Sequence, residues 1–178
     1  MTGPGLGQVA VIPGSSSLIT WAVCLITGSH CGHMIIKTSD TKCVSADANA
    51  NEVREHLLTD FPDAAWSEFP LTDAQAHASA LYALSQVGKP YAYLDDALIG
   101  VERIFRFRFP DWVRRRFADD GQWQCAQLAD ACMAAANQNV FKDGRKLGDV
   151  YPGSYEQAFI DRGWYTAKFF ASFPLRPW

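Results

Sequence analysis

The chain lacks what a membrane span, a secretory leader or a disulfide scaffold would require. Its longest apolar run, Leu18 to Thr27, is about half the length of a bilayer crossing. No Lys or Arg precedes Lys37, so there is no basic start of a secretory signal. A cytoplasmic location is the expectation, and a phage origin or a signal-independent export route is compatible with it. Cysteines are few and odd in number, five at positions 24, 31, 43, 125 and 132, with no Cys-x-x-Cys spacing. That pattern argues for reduced thiols over a disulfide framework. No phosphate-binding glycine loop or dinucleotide fingerprint occurs, so no cofactor is expected. Cys31, His33 and Cys43 fall near one another but match no common zinc framework, and no metal is expected either.

What is present is an ordinary globular composition. Of 178 residues, 48% are hydrophobic and 20% charged, enough for one domain with a core and too few for two. A net charge of −3 gives no global attraction to nucleic acid. Residues 1–7 are rich in Gly and Pro and are expected to fray, leaving residues 8–178 as a single domain.

Hydrophobic periodicity then sets out the elements. Gln8 to Pro13 reads as a strand. Ser15 to Ser17 offer caps to a helix with apolar residues at Leu18, Trp21, Ala22, Leu25 and Ile26, closed by Gly28. His30 to Thr38 and Lys42 to Asp47 read as paired strands around a Ser39-Asp40-Thr41 turn. Alternation places His30, Gly32 and Met34 on one face, and Cys31, His33 and Ile35 on the other. Thr72-Asp73-Ala74-Gln75 has the form of a capping box, opening a helix through Ala80, Leu81, Leu84 and Val87. A strong helix is expected from about Gln124 to Asn137, a shorter one from Tyr155 to Asp161, and a last strand from Trp164 to Phe170.

One thiol stands out by position. Cys125 heads the apolar stripe of residues 125, 128, 129, 132, 133 and 136. A thiol at a helix N-terminus meets the positive end of the helix dipole, which favours thiolate. The same N–H groups suit a developing oxyanion. Cys132, two turns further in, reads as a core residue. A thiol nucleophile needs a base, and the chain has four histidines. His56 lies in a charged segment that reads as exposed, and His77 falls near the apolar face of its helix. His30 and His33 share the strand beginning Ser29-His30-Cys31-Gly32-His33, and composition does not separate them.

The order of these motifs resembles the circularly permuted branch of the NlpC-type papain-like superfamily, which includes the YiiX-like hydrolases. Ser29-His30-Cys31-Gly32 is similar to the Ser-His-x-Gly strand entry, and Cys43-Val44-Ser45-Ala46 to the strand that follows. Gly88-Lys89-Pro90-Tyr91 is similar to Gly-x-Pro-Tyr, and Trp123-Gln124-Cys125-Ala126-Gln127-Leu128 to the nucleophile helix. Asp149-Val150-Tyr151-Pro152-Gly153 resembles the Pro-containing segment beyond it. Together they span roughly residues 8 to 155.

The resemblance implies an α+β, papain-like, permuted fold whose mostly antiparallel sheet packs against the nucleophile-bearing helix. It implies Cys125 as nucleophile and His30 as base, with Tyr91, Trp123 and Gln124 beside the substrate. The implied activity is amide hydrolysis through a thioester, with cell-wall peptide as one substrate class. Transfer or hydrolysis of lipid or other acyl groups on the same Cys-His pair is the alternative. Two departures stand out. Ser45 occupies the place of an orienting Glu, with Asp47, two residues on, as a substitute; Ala126 replaces the usual Ser.

Between Tyr91 and Cys125 runs a basic-aromatic stretch, 101–117, in which Phe105, Phe107 and Phe109 alternate with Arg106 and Arg108, followed by Arg114, Arg115 and Arg116. These arginines are candidates for a surface contact. They also support a reading from another class, a non-catalytic module binding nucleic acid or a membrane surface.

Overall fold

The structure, a computed structural model, describes residues 4–14, 21, 24, 25, 27–92, 122–145 and 149–173. It is an α+β arrangement around a five-stranded antiparallel sheet in the order β4-β3-β2-β1-β5. The strands are β1 (Val9–Pro13), β2 (Cys31–Lys37), β3 (Lys42–Asp47), β4 (Glu52–Leu57) and β5 (Ala65–Trp66). The helices are α1 (Asp73–Ser85), α2 (Cys125–Ala135), α3 (Pro152–Asp161) and α4 (Ala167–Ala171). Among the described residues no helix is long and apolar enough to cross a membrane.

Alternation along the strands divides the sheet into two unequal faces. Val9, Val11, Met34, Ile36, Val44 and Ala46 join the main core with Leu128 and Met133 of α2 and Tyr155 and Phe159 of α3. Ala10, Ile35 and Cys43 form a small cluster on the other face, under Leu58, Phe61 and Trp66. Met34 and Ile35 thus separate as expected, while Cys31 does not follow the alternation. It joins the main core because the β1–β2 register shifts between Ile12 and Pro13, a bulge that rotates the strand entry.

The capping box of α1 forms in both directions, with Thr72 Oγ1 accepting from the Gln75 N–H and Gln75 Oε1 accepting from the Thr72 N–H. The buried side of α1 is not the one expected. Leu81, Leu84 and Val87 are exposed, and the helix buries the small residues Ala76, Ser79, Ala80 and Ala83. Small side chains let another backbone approach. Gly7, at φ +72°, lies so close that a Cβ there would fall 2.4 Å from the Ala76 carbonyl oxygen. Ser79 Oγ donates to the Gly7 carbonyl at 2.8 Å, and Lys37 Nζ to that of Pro4. Pro4 to Gly7, within the stretch expected to fray, are therefore hydrogen-bonded to the body of the fold.

Trp21, Cys24, Leu25 and Thr27 are helical, in the segment read as a helix, but Leu25 is exposed and Cys24 is the buried side chain. Gly28, at φ +66°, ends it in a Schellman turn in which the Ser29 N–H donates to the Cys24 carbonyl. The strand expected over Trp164 to Phe170 is instead the short helix α4. Thr166 caps it by accepting from the Phe169 N–H, and Phe170 anchors it in the main core. β4 is a strand without clean alternation of apolar and polar residues. Its pattern has one buried residue, Val53, among charged ones, as befits an edge strand.

Candidate active site

Cys125 is the first residue of α2, with Gln124 as its N-cap. The first bond of the helical ladder runs from the Leu128 N–H to the Gln124 carbonyl, so the N–H groups of residues 125–127 lie ahead of it. Exposure separates the five thiols. Cys125 retains 5% of its surface, whereas Cys24, Cys31, Cys43 and Cys132 retain none, and no disulfide joins any of the five. Burial pushes the Cys24 thiol up to about 11 and the Cys43 thiol up to about 12. It raises Cys31 and Cys132 further, with Glu156 adding to the effect on Cys31. Those four are poor nucleophiles near neutral pH.

Tyr91, Trp123 and Gln124 form the root of this helix. The Trp123 N–H donates to the Pro90 carbonyl and the Ala92 N–H to that of Trp123, a short parallel bridge. The Trp123 indole donates to Gln86 Oε1 at 3.1 Å and meets the Tyr82 ring edge-on. Tyr91 and Gln124 are buried. The three residues assigned to substrate thus fix the start of α2 against α1 and the start of β4.

The four histidines have distinct settings. His77 is exposed, its ring bonded to the Asp73 carbonyl one turn earlier, and is no core residue. His33 lies on the β2 face opposite α2, 6.0 Å from the Phe61 ring. Burial lowers its pKa to about 4 despite the nearby Asp47. His56, expected in an exposed segment, is half-buried beside the same Phe61, and burial lowers its pKa too.

His30 sits just before β2, at the helical side of the sheet. Glu156 of α3 holds it at two points, accepting from the His30 backbone N–H at Oε2 (2.8 Å) and facing its ring Nδ1 with Oε1 (2.9 Å). A carboxylate only accepts, so the proton of the neutral ring sits on Nδ1 and the lone pair on Nε2. The carboxylate is 9% exposed and the imidazole 38%, a buried orienting group behind an accessible ring. The Gly14 N–H also donates to the His30 carbonyl.

Glu156 takes the orienting position that Ser45 or Asp47 had been assigned. Val44 and Ala46 face the main core, so Ser45 and Asp47 face the other side of the sheet. Asp47 caps its own turn by accepting from the Asn49 N–H and lies 3.8 Å from His56 Nε2. Ser45 is fully buried, with no partner for its hydroxyl. The bulge at the entry of β2 separates the three candidate zinc ligands, since Cys31 joins the main core while His33 and Cys43 lie on the other face. Among the described residues no group of three ligating side chains could hold a metal.

Two contacts fix α3. Gly153 packs on Ser29 so closely that a Cβ there would fall 2.5 Å from the Ser29 Cβ. Tyr155 donates to Asp130 at 3.2 Å, tying the Glu156 helix to the Cys125 helix. The sequence held half of this signal, the Pro152-Gly153 pair at a helix start. That Glu156 turns toward residue 30 follows only from the tertiary packing. The 101–117 stretch, with Arg106, Arg108, Arg114, Arg115 and Arg116, lies outside the described residues.

The chain matches no family model and no curated protein. The assignment of function therefore rests on chemistry and geometry.

Proposed function

We propose that this chain is a thiol-dependent acyl-transfer enzyme, a peptidase or amidase, with Cys125 as nucleophile, His30 as base and Glu156 orienting the base. In this reading the fold is a permuted papain-like domain, its histidine strand preceding its nucleophile helix. The observation that carries it is the buried Glu156 carboxylate bound to both N–H groups of His30, which sets the tautomer with a basic Nε2. Supporting it, α2 packs across β2 on the side where α3 carries Glu156, and Cys125 shares a buried cluster with Cys31, next to His30.

The reaction would proceed in two halves. The Cys125 proton moves to His30 Nε2, and the imidazolium is stabilised by the Glu156 charge. The thiolate attacks an amide carbonyl carbon, and the resulting oxyanion faces the N-terminus of α2. His30 returns the proton to the leaving nitrogen as the C–N bond breaks, leaving a thioester on Cys125. Water, deprotonated by His30, attacks the thioester; the acid departs and the thiol is restored. With a lipid ester in place of the amide, the same residues would transfer an acyl chain.

The test is labelling by an electrophilic thiol probe at near-neutral pH, with the modified residue mapped by mass spectrometry. The reading expects labelling at Cys125 that is lost in Cys125→Ala. Labelling that persists at Cys24 or Cys31 would refute it.

A further inference from the structure

The turn that delivers His30 to the sheet is held by a side chain with no part in the acyl-transfer steps. Ser29 is 5% exposed. Its hydroxyl accepts from Thr27 Oγ1 at 3.2 Å and donates to the Cys31 carbonyl at 2.8 Å, reaching past His30. Cys31 stands opposite Pro13 in the β1–β2 register, and proline has no N–H to offer that carbonyl. The Gly14 N–H, next along the chain, donates to the His30 carbonyl instead. The Ser29 hydroxyl thus supplies a donor at the bulge, where Pro13 supplies none.

The same residue meets the helix that orients the ring. Gly153, in the first turn of α3, lies so close to Ser29 that a Cβ there would fall 2.5 Å from the Ser29 Cβ. Glu156 follows Gly153 by three residues and so lies on the same side of α3. Ser29 therefore joins three parts of the pair: the peptide entering His30, the peptide leaving it through Cys31, and the helix carrying Glu156. Both backbone polar groups of His30 are engaged as well, the N–H by Glu156 and the carbonyl by Gly14. With its main chain so fixed, the imidazole has only its two side-chain torsions left, and Glu156 Oε1 meets Nδ1 at 2.9 Å.

We infer, on the reading of His30 as the base of Cys125, that Ser29 is a positioning residue. Its hydroxyl locks the backbone around His30 and so keeps ring Nδ1 on Glu156. Thr27 orients that hydroxyl.

Full-length Ser29→Ala and His30→Ala are compared with the parent chain. Cys125 alkylation by iodoacetamide is followed against pH, and the tautomer of the His30 ring is read from its nitrogen resonances by NMR. Ser29→Ala should lower the alkylation rate near neutral pH about tenfold, since a loosened base no longer meets the thiol in one geometry. Its His30 ring should populate both tautomers, where the parent holds one. Thr27→Val, which keeps the Ser29 hydroxyl but removes its donor, should act in the same direction more weakly, and carries the test if Ser29→Ala does not fold. A loss of stability in urea with unchanged pH profile and tautomer would make Ser29 structural only and overturn the inference. If His30→Ala moves the profile and the Ser29 and Thr27 variants do not, the inference fails while the base assignment stands. If His30→Ala leaves it unmoved too, the base assignment fails and takes the inference with it.

Discussion

The two faces of the sheet treat the same residue type in opposite ways. His30 and His33 are three residues apart, yet one enters the helical side and the other lies under Phe61 on the far side. His30 has a buried carboxylate on its Nδ1 and an accessible ring. His33 has a desolvated ring and a pKa lowered to about 4. On the same face, Ser45 Oγ and His56 Nε2 are buried without hydrogen bonds, and the Asp47 carboxylate lies 3.8 Å from His56 Nε2. An oriented histidine is prepared to accept a proton, whereas a desolvated one resists it. The base proposed at residue 30 and the histidine at residue 33 thus occupy physically opposite settings.

The sharpest way to break that comparison is to remove groups from each face. Cys125→Ala should abolish turnover of any amide substrate, a loss of about 10⁴-fold or more, measured as rate with folding checked by circular dichroism. His30→Ala should lower it by about 10²- to 10⁴-fold, while His33→Ala leaves it within severalfold of the parent. Equal losses from the two histidine variants would erase the distinction between the faces. Glu156→Gln should cost about a hundredfold, since the amide can still accept from one N–H but no longer supplies a charge opposite the imidazolium.

Stability sharpens the same contrast. His33 prefers the neutral form when folded, so the unfolded chain takes up its proton first as pH falls. Its contribution is complete above about 6.5 and is lost as pH drops toward 4, by up to about 3 kcal/mol. Urea melts between pH 7 and pH 4 should show this, and His33→Phe should flatten the dependence. Gly153→Ala should destabilise by about 1–3 kcal/mol, because the added methyl meets Ser29. It should also lower reactivity at Cys125 by moving Glu156 away from His30.

Much of the fold could be read from the pattern of the sequence. β3, the capped start of α1 and the apolar stripe of α2 fall within a residue or two of their expected places, because each is a local signal of period or cap. The readings that failed depended on long-range contacts. Trp164 to Phe170 has a strand's aromatic content, but a threonine cap and one anchoring phenylalanine turn it into a helix. α1 buries alanines and leaves its leucines outside, and at Ala76 the close approach of Gly7 leaves no room for a larger side chain. At the site, Cys125 was legible from its place at a helix start. The resemblance places the third group at Ser45 or Asp47, but alternation turns both to the face of the sheet away from the main core. Glu156 is 126 residues from His30 and is brought there by α3, a relation no local pattern encodes.

The most direct test of the account is the pH dependence of Cys125 alkylation by iodoacetamide, compared between the parent chain and His30→Ala. The account predicts that the parent reacts at a rate that holds well below the free-thiol range of about 8.5, and that the substitution moves the midpoint up to that range or beyond. Superimposable profiles from the two proteins would contradict it.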